Sequence, residues 1–137
     1  MSKYNAKKTE LDGYTFDSQI EARYFIQLKW LKTNKQIKGF EIQPKFLLQE
    51  SFKKDGKTHR KIEYIADFKI INLDGSIEII DIKGMTTPLF QLKQKLFHYK
   101  YPHKLTLLTY SAKWGGWIEL DELSKLRKQA KKAKGKN

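Results

Sequence analysis

Cysteine is missing from this 137-residue chain, which removes disulfides and thiolate zinc sites from its chemistry. Histidine is scarce: His59, His98 and His103 stand far apart with no ligand spacing among them, so any metal would be held by oxygen. No long uncharged apolar run occurs, nor a basic amphipathic helix with an apolar face free to insert, so a membrane partner is not expected. The start, Met1-Ser2-Lys3-Tyr4-Asn5, carries no apolar leader of the secretory kind, which points to the cytoplasm. Acidic residues are few, 15 against 28 lysines and arginines, for a formal charge of +13. Such a surface gains affinity for polyanions by releasing counterions from phosphates, so nucleic acid is the expected partner.

At this length, with no internal repeat, a single domain over 1–137 is expected. Residues 1–12 read as a basic N-terminal arm. After the Asp12-Gly13 turn, Phe16, Ile20, Tyr24, Leu28 and Leu31 recur at spacings near four, which predicts an amphipathic helix from about Asp17 to Thr33. Ser18 and Glu21 form an S-x-x-E capping box at its start. Phe40 to Leu48 turns β-like, with Pro44 marking an irregularity. Residues 52–61 then read as a basic hairpin connection around Asp55-Gly56, whose Lys53, Lys54, Lys57 and Arg60 are either a solvated loop or phosphate contacts.

Lys61 to Ile71 alternates, with Ile62, Tyr64, Ala66, Phe68 and Ile70 on one face and Asp67 on the other, so it reads as a central strand carrying an aspartate at some desolvation cost. A turn at Asp74-Gly75 leads to Ile77-Glu78-Ile79-Ile80-Asp81-Ile82-Lys83-Gly84. Alternation puts Asp81 and Lys83 side by side at the end of this strand, on the face of Ile77 and Ile79. Thr87 and Pro88 start a second helix, with Leu89, Leu92, Leu96 and Tyr99 as its buried stripe and Gln91, Lys93, Gln94 and Lys95 on the flank. Gln91 and Lys95 are candidates to lean over the cleft beside Asp81. Leu105 to Tyr110 makes a further strand. Trp114-Gly115-Gly116-Trp117 is a turn whose tryptophans seal the core edge. Asp121 caps a last helix, and 124–137 is a lysine-rich, mobile tail.

Two aspartates on neighbouring strands are hard oxygen ligands suited to Mg²⁺ or Mn²⁺, and the Ile82 carbonyl offers a third. A metal so held lowers the pKa of a bound water and screens charge on a phosphate. Lys83 has the complementary task of orienting the water or neutralising developing charge. Glu21 has two competing roles, as a further ligand and as the reciprocal partner of the helix cap.

Ser18-x-x-Glu21, Asp67 and Asp81-x-Lys83 in the order α-β-β-β-α-β resemble the PD-(D/E)XK nuclease superfamily. More narrowly, Lys3 to Thr9, Phe16-Asp17-Ser18, Gln43-Pro44-Lys45-Phe46, Tyr64 to Phe68, Asp81 to Gly84 and Lys95-Leu96-Phe97 resemble an uncharacterised phage and prophage family. That family is assigned to the same superfamily and described as Holliday-junction-resolvase-like. Ala66 stands where the superfamily pattern nominally has proline. The resemblance implies a restriction-endonuclease-like α/β core, with a mixed sheet flanked by helices, and metal-dependent phosphodiester hydrolysis, with Asp67, Asp81 and Lys83 as the motif residues. A junction resolvase would pair into a two-fold dimer. The alternatives are a DNA-binding module that keeps the fold without the reaction and, for exposed aromatic platforms, an RNA-directed protein.

Overall fold

The computed structural model describes residues 8–135. The chain opens with β1 (Thr9–Leu11) and β2 (Tyr14–Phe16), an antiparallel pair turned at Asp12-Gly13 with both residues at positive φ. The expected N-terminal arm is thus a strand from Thr9 onward, because Leu11 packs onto the same core as Phe16; residues 1–7 lie outside the described part. In α1 (Gln19–Thr33) the Ser18 Oγ accepts the Glu21 N–H at 3.2 Å, as the capping signal requires. Its buried face is Ala22, Tyr24, Phe25 and Leu28, while Ile20, expected in that stripe, is exposed.

The next six strands are β3 (Gly39–Ile42), β4 (Lys45–Gln49), β5 (Phe52–Lys54), β6 (Lys57–His59), β7 (Ile62–Ile65) and β8 (Phe68–Ile71). Their pairings make one long antiparallel ribbon. A single register runs from Gly39↔Ile71 to Leu47↔Glu63; after an irregularity between Leu47 and Gln49 it is shifted by one residue, as Phe52↔His59 and Lys54↔Lys57. The 52–61 connection is therefore mostly paired strand. The ribbon bends where Gln43 takes a φ of 51° beside Pro44 and where Ala66 and Asp67 interrupt the strand opposite. Pairing bridges the bend: the Ala66 N–H donates to Pro44 O at 3.1 Å and the Gln43 N–H to Asp67 O at 2.9 Å.

After β9 (Ile77–Ile82), α2 (Pro88–Lys100) crosses over to β10 (Lys104–Ser111), and β11 (Gly116–Glu119) returns beside it before α3 (Leu120–Gly135). The five-stranded mixed sheet runs β11-β10-β9-β8-β3, with β9 and β10 parallel as a helical crossover demands. The result is a mixed α/β fold. Ile80 belongs to the core under α1, with Phe25, Leu28 and Phe68; its neighbour Ile79 belongs to the core under α2, with Phe46, Tyr64, Phe90 and Phe97. The sheet thus has α1 on one face, and α2 with the β4–β7 part of the ribbon on the other.

Two readings of the second half need correction. The buried residues of α2 are Phe90 and Phe97; Leu89 and Leu92 are exposed and Tyr99 is 92% exposed, so the leucine stripe faces outward except for Leu96. The α2-side core is built from rings, and Phe97 contacts Phe46, Tyr64 and Tyr101, a site shaped for an aromatic. Residues 124–135 are helix and not a loose tail. Lysine, alanine, leucine and glutamine all favour helix, Leu123 anchors the first turn in the core, and Asp121 and Glu122 near the start with Lys132 and Lys134 near the end suit the helix dipole. Asp121 consequently lies within the first turn. Trp117 does seal the core edge, packing on Tyr24 and Tyr110. Among the described residues no helix is long and apolar enough to cross a membrane.

Candidate active site

The site grows from the bend in the ribbon. β8 pairs antiparallel with β9, and the register Phe68↔Ile80 continued one step places Asp67 opposite Asp81. The Asp67 N–H still reaches the ladder, donating to Ile80 O at 3.2 Å. There the strand bends away, and the Asp67 side chain replaces the lost backbone partner: its Oδ2 accepts the Ile82 N–H at 2.7 Å. A carboxylate is thereby fixed at the sheet end by the same irregularity that redirects the ribbon.

Asp81, at 3% exposure, is the one buried charged residue among those described. Its Oδ2 accepts a hydrogen bond from the buried Tyr64 hydroxyl, and its charge acts on the Asp67 carboxyl opposite it. The Lys83 ammonium lies 3.6 Å from Asp81 Oδ1 and 4.3 Å over the Phe90 ring. Asp81 and Lys83 therefore share a side, as alternation along β9 requires.

Glu21 combines the two roles that compete for it. Its Oε2 accepts the Asp17 N–H at 3.3 Å, the reciprocal half of the cap displaced by one residue, yet it also feels the charges of Asp81 and Lys83. Burial, then Asp17, pushes the Glu21 carboxyl up to about 7. Burial, then the Asp81 and Glu21 carboxylates, pushes Asp67 up to about 9. Burial and the same aspartates raise the Tyr64 hydroxyl, so it remains a donor. Three acids thus repel one another at one end of the sheet, with Lys83 as the neighbouring cation.

Among the described residues no three His, Cys, Asp or Glu side chains are arranged to hold one metal ion, which agrees with Glu21 being tied to its cap. The donor set still suits Mg²⁺ or Mn²⁺, since a small hard cation is commonly held by one or two carboxylates, with water and substrate oxygens completing the octahedron. Asp67 and Asp81 meet that need, and the Ile82 carbonyl follows them at the strand end.

Of the flanking residues, Gln91 donates to Thr86 Oγ1 at 2.9 Å and lines, with Gly84, Met85 and Gln94, a groove beside β10. Lys93 and Lys95 are not among the residues lining it. Lys53, Lys54, Lys57 and Arg60 are exposed on the part of the ribbon beyond the bend that carries Asp67. Sequence reasoning missed two residues, Tyr64 as the donor to Asp81 and Phe90 as the surface beneath Lys83. The signal for Tyr64 was an aromatic hydroxyl on an otherwise apolar strand face, which once buried needs a partner.

The model of a family described as a protein of unknown function (DUF1064) matches residues 1–116. No curated protein and no solved structure matches the chain.

Proposed function

We propose that the chain, which belongs to the DUF1064 family, is a metal-dependent DNA endonuclease of the PD-(D/E)XK type, with a restriction-endonuclease-like core and acting in the cytoplasm. The observation that carries this reading is the convergence of Asp67 and Asp81, which the β8–β9 register sets opposite each other, each held by its own donor, with the Lys83 ammonium 3.6 Å from Asp81. Two neighbouring acids, one buried and one half-buried, repel unless a proton or a cation lies between them. Asp67 and Asp81 would hold Mg²⁺ or Mn²⁺, with the Ile82 carbonyl and Glu21 as further candidates. When bound, the ion supplies a more acidic water and charge neutralisation on the phosphate.

The remaining work falls to the protein. Tyr64 and the Ile82 N–H fix the two carboxylates before substrate arrives, so no reorganisation is needed during reaction. Lys83, packed on Phe90 and partly exposed, is placed to orient the attacking water and to neutralise charge on the phosphate oxygens. A bond forms between water oxygen and phosphorus, one ester P–O bond breaks, and the leaving oxygen takes up a proton. For a four-way junction, two copies related by a two-fold axis would make the symmetric cuts.

The test is cleavage of labelled four-way, flap, linear and single-stranded DNA side by side, with and without Mg²⁺ or Mn²⁺. Wild type should cut at least one of these only with metal, and Asp81→Asn should bind DNA without cutting. A folded wild type that cuts none of them overturns the reading. A non-catalytic DNA-binding module is the second reading, favoured by the exposed lysines of β5 and β6 and opposed by the intact Asp67, Asp81 and Lys83. Calorimetric titration with Mn²⁺ separates the two, since the module should give no heat that depends on Asp67.

A further inference from the structure

The candidate active site leaves the far part of the ribbon unused. β5 and β6 bury none of their residues and pair with each other as a separate two-stranded unit. Such a hairpin is marginal in water, so the features that hold it are informative. Its loop is Asp55-Gly56, both at positive φ, as the tight turn matching strand twist demands. Phe52 and His59 are Cα partners whose rings stack at 4.7 Å and 13°, a cross-strand pair that stiffens the strands. Between stack and turn, Lys54 stands opposite Lys57, where like charges cost stability. Lys53 lies on the other face, opposite Thr58. A rigid turn and an aromatic clamp thus hold cations together where no packing compensates, a local conflict that marks a functional surface.

We propose that this ribbon is a prong that enters the major groove of duplex DNA, up to one helical turn from the phosphate at the candidate active site. The proposal rests on the reading of DNA as partner and adds the form of DNA and the element that grips it. The major groove admits a two-stranded ribbon. Lysines on both faces suit a channel walled by phosphates on two sides, whereas a single strand would lie along one face. The Phe52 and His59 rings cover one another, so the pair serves as a stiffener more than as a stacking platform for unpaired bases. Reach agrees as well: from Asp67 to Lys57 the ribbon spans ten residues, at most roughly 33 Å at about 3.3 Å per residue. That compares with about 34–36 Å for one turn of duplex.

The test compares wild type with Lys54→Ala/Lys57→Ala by fluorescence anisotropy, without divalent metal, on a duplex of about 40 base pairs and on its single strand. The variant should bind duplex on the order of 10-fold more weakly, with the slope of log K against log salt smaller by about 2. Its affinity for the single strand should hardly change. Thermal melting should coincide with wild type, since both lysines are exposed. An unchanged duplex slope overturns the proposal, and so does an equal loss on duplex and single strand. Because no cleavage is read, a protein that binds as described yet never cuts would sink the nuclease reading and support the prong. A nuclease whose duplex affinity ignores these lysines would sink the prong alone.

Discussion

The bend and the tip of one ribbon offer a comparison. At the bend, Asp67 faces Asp81; near the tip, Lys54 faces Lys57. Both place like charges opposite each other, but the surroundings differ. The acids are shielded from water, so burial first, and then the neighbouring Asp81 and Glu21 carboxylates, push the Asp67 carboxyl up to about 9. The lysines are solvated, and water and salt screen most of theirs. A buried conflict of this kind is relieved by a cation and an exposed one by an anion. On the proposed reading, a metal ion would occupy the bend and the phosphate backbone the tip.

The largest expected effect comes from deleting the cation beside the acids. Lys83→Ala should lower metal-dependent cleavage by about 10²- to 10³-fold, the usual scale for losing one preorganised electrostatic partner, while DNA affinity stays near wild type. Single-turnover rates set against anisotropy would check this, and a variant that cuts normally would remove Lys83 from the site.

Next is the repulsion itself. The folded state holds the Asp67 proton more tightly than the unfolded chain, whose ordinary value is 3.8. Its contribution to stability is therefore full below that value and lost as pH rises toward about 9. Asp67→Asn keeps an acceptor for the Ile82 N–H and removes the titration, so it should stabilise the apo protein at pH 8. The gain over wild type should grow as pH rises and read as a higher Tm. Mg²⁺ should raise the Tm of wild type and not of the variant. Tyr64→Phe should act less strongly: Asp81 keeps its other neighbours, so one hydrogen bond is lost, at about 1 kcal/mol. Urea denaturation would measure it.

How much of this was legible in the sequence follows from the same bend. The Ser18 and Thr87 caps, the three Asp-Gly turns at 12–13, 55–56 and 74–75, and the pairing of Asp81 with Lys83 are local features, and each stands as read. The bend was hidden because alternation continues through it. Tyr64, Ala66, Phe68 and Ile70 have one parity, yet the first two lie under α2 and the last two under α1. The twist at Ala66–Asp67 changes which side of the sheet a parity faces, and no period-2 pattern records that. Tyr64 was invisible as a partner of Asp81 for this reason. In α2 the ambiguity is of another kind: Leu89, Leu92, Leu96 and Tyr99 keep helical spacing as faithfully as Phe90 and Phe97. Only the aromatic pocket made by Phe46, Tyr64 and Tyr101 selects the phenylalanines.

The smallest effect is the sharpest probe of the comparison. Lys57→Glu turns the exposed like-charge pair into an attractive one, as Asp67→Asn relieves the buried pair. Cross-strand pairs are worth about 0.2–1 kcal/mol, and these residues lie outside both cores. The gain should therefore appear as slower amide exchange confined to Phe52–His59, with the Tm unchanged. If screening by water is what separates the two ends, the tip variant stabilises only the tip and loses duplex affinity, while the bend variant stabilises the whole fold and loses its response to Mg²⁺. Equal shifts in Tm from the two substitutions would mean that burial does not distinguish them, and the electrostatic argument for a cation at Asp67 and Asp81 would lose its basis.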